Sequence, residues 1–398
     1  MGQFCGLAGE WVLDNEELQF FQGLAYPLSF RKRCHRVAAE EVEGFDASLF
    51  DSFNDLPEVL AGSGWEFFPP RLLESGGVGL VAAAGIAMNS PLYKGNNYMQ
   101  ADPAALKEEL RKAYEIAPNG VIGVNLMVAL SDFEALVAAS LEGGAKVIVC
   151  GAGLPMTLPE LTASAPQVAI VPIVSSVRAA QLIAKKWWKG YGRLPDAVVV
   201  EDPDTAGGHL GEKLENIGTG DYDHYGTIRG IKEFFVAEYG KEVPVIAAGG
   251  IWDREDLLHA LAQGADGVQM ASRFVATEEC DADENFKRAY IDCRKEDIGL
   301  IMSPAGLPGR AIVLNRDDIV AHDRTHGIAC STGCLKKCTY KESGERFCIV
   351  RALDRAQRGD VETGLVFCGT NAWKADRIGT VREIFDELFA EKEAEMAA

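Results

Sequence analysis

From residue 77 onward, short apolar or β-branched runs alternate with longer amphipathic ones. The runs at 78–85, 121–128, 146–153, 168–176, 197–202, 244–250 and 267–272 are almost continuously hydrophobic. Strands buried on both faces require that pattern. Between the runs the spacing predicts helices over 103–117, 133–142, 177–191, 227–239 and 254–263. Asp102, Asp132 and Asp253 stand where N-caps belong, Pro103 opens the first helix, and Gly143-Gly144 and Gly264 are stops. Strand and helix alternate throughout, so the crossovers are helical and the sheet is parallel. Seven βα-type strands in about 200 residues, with no G-x-G-x-x-G turn after the first, favour an eight-stranded barrel over a doubly wound sheet.

The flanks break this rhythm. Residues 1–70 are weakly patterned, with a strand candidate at 20–25. The barrel is assigned to 71–275. Residues 276–329 form an insertion, helical over 280–302 and then a loop at 303–310. A Cys-rich tail occupies 330–398 and ends in an amphipathic helix at 381–395. The fold class is therefore α/β: a (β/α)8 TIM barrel with a helical insertion and a Cys-rich C-terminal extension.

Composition narrows the function classes. The 398 residues are 47% hydrophobic and 25% charged, which is ordinary globular usage and excludes disorder as the main state. Lys plus Arg number 39 and Asp plus Glu 59, a net charge of −20. Such a chain is a poor partner for nucleic acid or an anionic membrane. No run approaches the ~20 apolar residues of a membrane span. Glu10, Asp14, Glu16 and Glu17 replace the basic start of a secretory signal. Ten cysteines without an export signal point to a reducing cytoplasm.

In such barrels the chemistry sits at the C-terminal ends of the strands. Those ends offer Asn125, Glu201 and a series of small residues, which let a flat cofactor approach the backbone. Gly249 and Gly250 end one of the last two strands; Gln269, Met270, Ala271 and Ser272 end the other. Their backbone N–H groups suit a phosphate, although tight turns alone also use such glycines. His209 follows Gly207 and Gly208, flanked by little that would shield it. It suits proton transfer near neutrality, or else hydrogen-bonds a nearby carbonyl. His35 and His224 carry no motif, His259 lies inside a helix as a surface or packing residue, and His322 and His326 precede the cysteines as spare metal ligands or solvated loop residues. Cys330-x3-Cys334-x3-Cys338-x9-Cys348 could ligate a [4Fe–4S] cluster or zinc, or be reduced thiols; the x3 spacing tilts away from the C-x2-C knuckles of zinc.

Six stretches in one order carry a resemblance. They are Gly123-Val124-Asn125-Leu126-Met127-Val128, Gly151-Ala152-Gly153-Leu154-Pro155, Pro172-Ile173-Val174-Ser175-Ser176, Ala206-Gly207-Gly208-His209-Leu210-Gly211, Ala248-Gly249-Gly250-Ile251 and Gly267-Val268-Gln269-Met270. Together they resemble the nitronate monooxygenase (2-nitropropane dioxygenase) family. The resemblance implies an FMN-dependent barrel. Asn125 and Glu201 would contact the flavin, Gly207 and Gly208 would lie beside its ring, and Gly249, Gly250, Ala271 and Ser272 would hold its phosphate. His209 matches the active-site histidine. The family's opening strand has at best a degraded counterpart in 21–27. The implied activity is oxidation of alkyl nitronates by O2. A flavin-dependent enoyl-acyl-carrier-protein reductase, an NADH:quinone reductase drawing on NAD(P)H, and a flavin-binding component without turnover are the rival expectations.

Overall fold

The computed structural model describes residues 10–13, 18–21, 60–61 and 78–389, apart from 96, 314–318, 320, 322–329, 331 and 341–346. Glu10–Leu13 (β1) and Leu18–Phe21 (β2) form an antiparallel hairpin. Leu60–Ala61 (β3), Val78–Ala82 (β4), Ile122–Met127 (β5), Val147–Gly151 (β6), Ala169–Val174 (β7) and Val198–Glu201 (β8) follow. After the short Gly208–His209 (β9) come Val245–Ala248 (β10) and Gly267–Met270 (β11). Strands β3 to β8, β10 and β11 pair in parallel, and β3 bonds both β4 and β11, which closes the sheet into a barrel.

The continuous apolar runs are explained by burial on two sides. Val78, Leu80, Val147, Val149, Val171, Val199 and Ile246 pack inside the barrel. Their neighbours Val124, Ile148, Ile170, Val198, Val200 and Val245 pack outward against the helices. These helices are Asp102–Ile116 (α1), Phe133–Glu142 (α2), Leu158–Leu161 (α3), Val177–Tyr191 (α4), His224–Tyr239 (α5) and Arg254–Ala262 (α6).

Two expected caps are not caps. Asp102 is the first helical residue, and its carboxylate accepts from the Ala87 N–H at 2.8 Å. Asp132 holds the N-cap position of α2 without a side-chain cap bond. Asp253 does cap α6, in a reciprocal box with Asp256. Helix α5 starts three residues before its expected position, because Asp223 caps it through the Gly226 N–H at 2.7 Å.

The first barrel position belongs to β3 rather than to the 20–25 run. Strand β2 pairs back onto β1 and meets β11 only at Phe21 opposite Gly267. Residues 22–59, with His35, and both His322 and His326 lie outside the described residues.

The stretch after the barrel also differs from expectation. Ser272–Val275 (α7) and Glu284–Asp292 (α8) are helical. Ile298–Met302 (β12) and Pro308–Ile312 (β13) then form an antiparallel hairpin where a helix end and a loop were expected. Strand β13 also pairs with Val366–Phe367 (β14) and with β9. The stretch finds partners far away in the chain, and those partners settle its state. Ile349–Gln357 (α9) and Val381–Phe389 (α10) complete the described chain. No described helix is long and apolar enough to cross a membrane.

Candidate active site

A cavity of about 760 Å³ opens at the C-terminal ends of the barrel strands. Asn125, Glu201, Gly207, Gly208, His209, Gly249, Gly250, Gln269, Met270, Ala271 and Ser272 all line it. Every residue expected at the cofactor or the reaction is thus brought to one space.

His209 owes its position to the second sheet. Gly208 takes φ +72°, a left-handed turn that suits glycine. The chain then runs as β9 against β13, with His209 opposite Gly309 and Gly208 opposite Arg310. The imidazole Nε2 stands 2.7 Å from the Ser303 hydroxyl, just beyond β12. The Ser303 oxygen also accepts from the Ala305 N–H at 3.1 Å. Phe367 of β14 lies edge-on to the imidazole, 5.1 Å between centroids. All four strands of this sheet, or the residues beside them, therefore hold one side chain. Burial pushes the imidazole down to about 4, so it is neutral at pH 7 and a weaker base than a solvated histidine.

Glu201 ends β8 and faces the same cavity. Glu201 and His209 are both half-buried. Burial pushes the Glu201 carboxyl up to about 8; the Arg310 guanidinium opposes that rise and Asp202 adds to it. Arg310 is itself buried and donates to the carbonyls of Ala206 and, at 3.1 Å, Pro203. It clasps the loop that separates Glu201 from His209.

The cavity suits a flavin on its own evidence. The Asn125 side-chain Nδ2 is buried and has no hydrogen-bond partner, although it lines the space. A donor in that state matches a ring carbonyl. Gly249 and Gly250 adopt φ +99° and +76°, and a Cβ on Gly249 would meet the Thr205 hydroxyl at 2.8 Å. Backbone there can approach a ligand closely.

A strap of residues 369–371 ties the three turns together. The Gly369 N–H donates to the Ser272 hydroxyl at 2.8 Å, and the Thr370 N–H to the Thr205 carbonyl at 3.0 Å. Asn371 Nδ2 donates to the Gly250 carbonyl at 2.7 Å. Ser303, Arg310 and this strap were missed in the sequence. The Gly/Pro-dense run ending in Arg310 was the available signal for the first two. His224 is buried between Tyr222 and Tyr225 with neither ring nitrogen partnered, while His259 is exposed on α6.

Cys330, Cys334, Cys338 and Cys348 stand apart from the cavity lining. Among the described residues no disulfide is formed, and no three His, Cys, Asp or Glu side chains converge as a metal site.

Fold and site together define a barrel enzyme with a strand-end cofactor cavity. The family model for nitronate monooxygenase matches residues 75–391, and the chain belongs to that family. Membership in that family implies a flavin. It is 26% identical over 269 residues to the (3aS,4S,5R,7aS)-5-hydroxy-7a-methyl-1-oxo-octahydro-1H-indene-4-carboxyl-CoA dehydrogenase of Rhodococcus jostii (strain RHA1), covering 66% of this chain and 63% of that one. It is 32% identical over 117 residues to a probable nitronate monooxygenase of Staphylococcus aureus (strain Newman), covering 29% and 31%. The match thus spans less than two thirds of either relative. Among solved structures, FabK from Thermotoga maritima superposes with a TM-score of 0.62 at 24% identity, over 87% of this chain and 95% of that one. The nitroalkane oxidase from Streptomyces ansochromogenes gives 0.59 at 20% identity, over 84% and 95%.

Proposed function

We propose that the protein is an FMN-dependent oxidoreductase that oxidises alkyl nitronates with O2 to a carbonyl compound and nitrite. The observation that carries this reading is His209, held by Ser303 and Phe367 on the same cavity as Asn125 and the small-residue turns of β8, β10 and β11. FMN, when bound, supplies the electron chemistry. The backbone at Gly249, Gly250, Ala271 and Ser272 would hold its phosphate, and Gly207 and Gly208 would lie beside its ring. Asn125 Nδ2 would donate to a ring carbonyl, with Glu201 as a second polar contact and Gln269 and Met270 closing the floor.

His209 accepts the proton from the carbon that bears the nitro group when a neutral nitroalkane enters. Ser303 and Phe367 fix the direction from which it does so. A nitronate has already lost that proton and needs His209 only for orientation. Changing His209→Asn is expected to lower nitroalkane turnover by about 10²–10⁴-fold. Turnover of the preformed nitronate should fall much less, with FMN content unchanged. Equal losses on both substrates would remove the general-base role.

A second reading follows from the Rhodococcus relative, whose name makes it a dehydrogenase of a carboxyl-CoA substrate. An enoyl reductase or quinone reductase fed by NAD(P)H belongs with it. The rim favours the smaller substrate. Among the described residues Lys213 is its only Lys or Arg, flanked by Glu212 and Glu215, and it pairs with Glu215 at 3.9 Å. That is a weak landing place for the phosphates of CoA. Anaerobic stopped-flow absorbance decides: bleaching of the flavin by nitronate supports the proposal. Bleaching by NAD(P)H alone transfers the assignment to the reductases. No bleaching by either leaves a flavin-binding component without turnover.

A further inference from the structure

The loop that carries His209 stays on the cavity beyond the histidine. Residues 210–215 line it as one unbroken run. Both ends of the run are anchored. Leu210 is buried, and its N–H donates to the Pro308 carbonyl at 2.9 Å. Ile217 is buried with Ala206 and Leu210, against Leu300. Between the anchors the Glu212 carboxylate accepts from the Lys213 N–H and from Asn216 Nδ2, both at 2.8 Å. Leu214 is left 41% exposed while lining the cavity.

A lone exposed leucine needs no explanation. Here a second one stands on the same cavity. Leu154 follows the turn at the end of β6, where Gly153 takes φ +131°, and it is 38% exposed. Met302 of β12, Leu307 beyond it and Leu353 of α9 also line the space, each half-buried. None of these five side chains belongs to a barrel strand. The strand ends are thus left to the flavin, and the five apolar side chains to whatever the flavin acts on.

We propose that Leu154 and Leu214 make the cavity select its substrate by a neutral hydrocarbon chain. The preferred nitronate would carry several methylenes and no second anionic group. That substrate class rests on the nitronate reading of the cavity and narrows it. A leucine at the mouth of a cavity keeps methyl groups in water until an apolar chain covers them. Each methylene laid against such a surface tightens binding about two- to fourfold, the range for half to full burial.

Charge makes the other half of the selection. Glu212 and Glu215 line the cavity on either side of Leu214 in the chain, and Lys213 is drawn to Glu215. The run therefore carries a net negative charge beside its apolar side chain. A carboxylate at the far end of a substrate would meet two like charges and a cation already engaged, at a cost that salt relieves. A methyl end meets no such cost. The same leucines and carboxylates thus separate a simple alkyl chain from an alkanoate of equal length.

The test is titration calorimetry on the full flavin-loaded chain, which needs no turnover. The probes are 1-butanol, 1-hexanol and 1-octanol, with butanoate, hexanoate and octanoate beside them. Affinity for the alcohols should rise about two- to fourfold per methylene. Each alkanoate should bind about fivefold more weakly than its alcohol at low salt, and the gap should narrow in about 0.5 M salt. Leu214→Ser should cut the octanol-to-butanol affinity ratio about fivefold, and Leu154→Ser should lower it in the same direction. Glu215→Gln should narrow the gap between alkanoate and alcohol about threefold. Affinities flat with chain length, alkanoates bound as tightly as alcohols, or a slope kept by both leucine variants would each overturn the proposal. Turnover of the nitronates of 1-nitrobutane and 1-nitrooctane is read separately. No turnover with the alcohol slope intact removes the nitronate alone and upholds selection by the chain.

Discussion

Changing Glu201→Gln removes a carboxyl that folding makes hard to ionise. Its pKa rises from the usual 4.5 to about 8, through burial first, with Asp202 adding and Arg310 opposing. A raised folded pKa means the native state holds the proton more tightly than the unfolded chain. The carboxyl's favourable contribution is therefore complete below about pH 4.5 and is lost as pH rises through about 8. Between pH 5 and 7 these two values give a loss of at most about 2.5 kcal/mol. Water in the cavity screens the charge and makes that an upper value. The assay is denaturant unfolding of the flavin-free protein and of E201Q at pH 5, 6, 7 and 8. Taking the difference between the two proteins cancels the titration of the other carboxylates. The variant should gain on the parent steadily as pH rises. A stability gap that stays constant from pH 5 to 8 would refute the reasoning, since Glu201 would then titrate like an exposed glutamate.

Other outcomes follow from the same geometry. In Gly207→Ala the new Cβ would lie 2.4 Å from the Cys368 carbonyl carbon and 2.5 Å from the Gly369 nitrogen; the strap must move, and FMN content after purification should fall with a stability loss of about 1–3 kcal/mol. Ser303→Ala leaves the His209 nitrogen without its partner; kcat on nitroalkanes should drop about tenfold with KM and FMN content unchanged, and unfolding should cost about 1–3 kcal/mol less. Asn371→Ala removes the bond to the Gly250 carbonyl and should weaken FMN affinity about fivefold, measured by fluorescence titration. Because burial takes His209 to about 4, nitroalkane turnover should stay level down to about pH 5 and fall below it; an acid limb near 6.5 would place the imidazole in solvent.

The barrel was readable because its strands are buried on both faces, which writes an unbroken apolar run into the sequence. All seven runs became strands of one parallel sheet. The closing strand β3 was not readable: at two residues it has no period to detect. Strands β12 and β13 were hidden for another reason. Their pairing with β9 and β14 is a tertiary fact, while their own residues tolerate helix or loop. The caps divide similarly: Asp253 acts within its own turn, whereas the carboxylate of Asp102 answers to the Ala87 N–H. In the site, glycine turns announce themselves locally. Ser303 and Arg310 do not, because their partners lie 94 and 104 residues away.

That separation bears on when the cofactor cavity comes into being. The strap reaches Ser272, Gly250 and Thr205 across 97, 121 and 165 residues. A ribosome making this chain finishes the β8, β10 and β11 turns long before residues 369–371 are synthesised. Until then those turns lack their strap, although β13, synthesised earlier, can already pair with the strand of His209. Contacts of such span also close slowly. Nascent chains of this protein would pass through a stage with a barrel already built and a cofactor berth still open, in which early flavin binding would have to precede the strap that later fastens it.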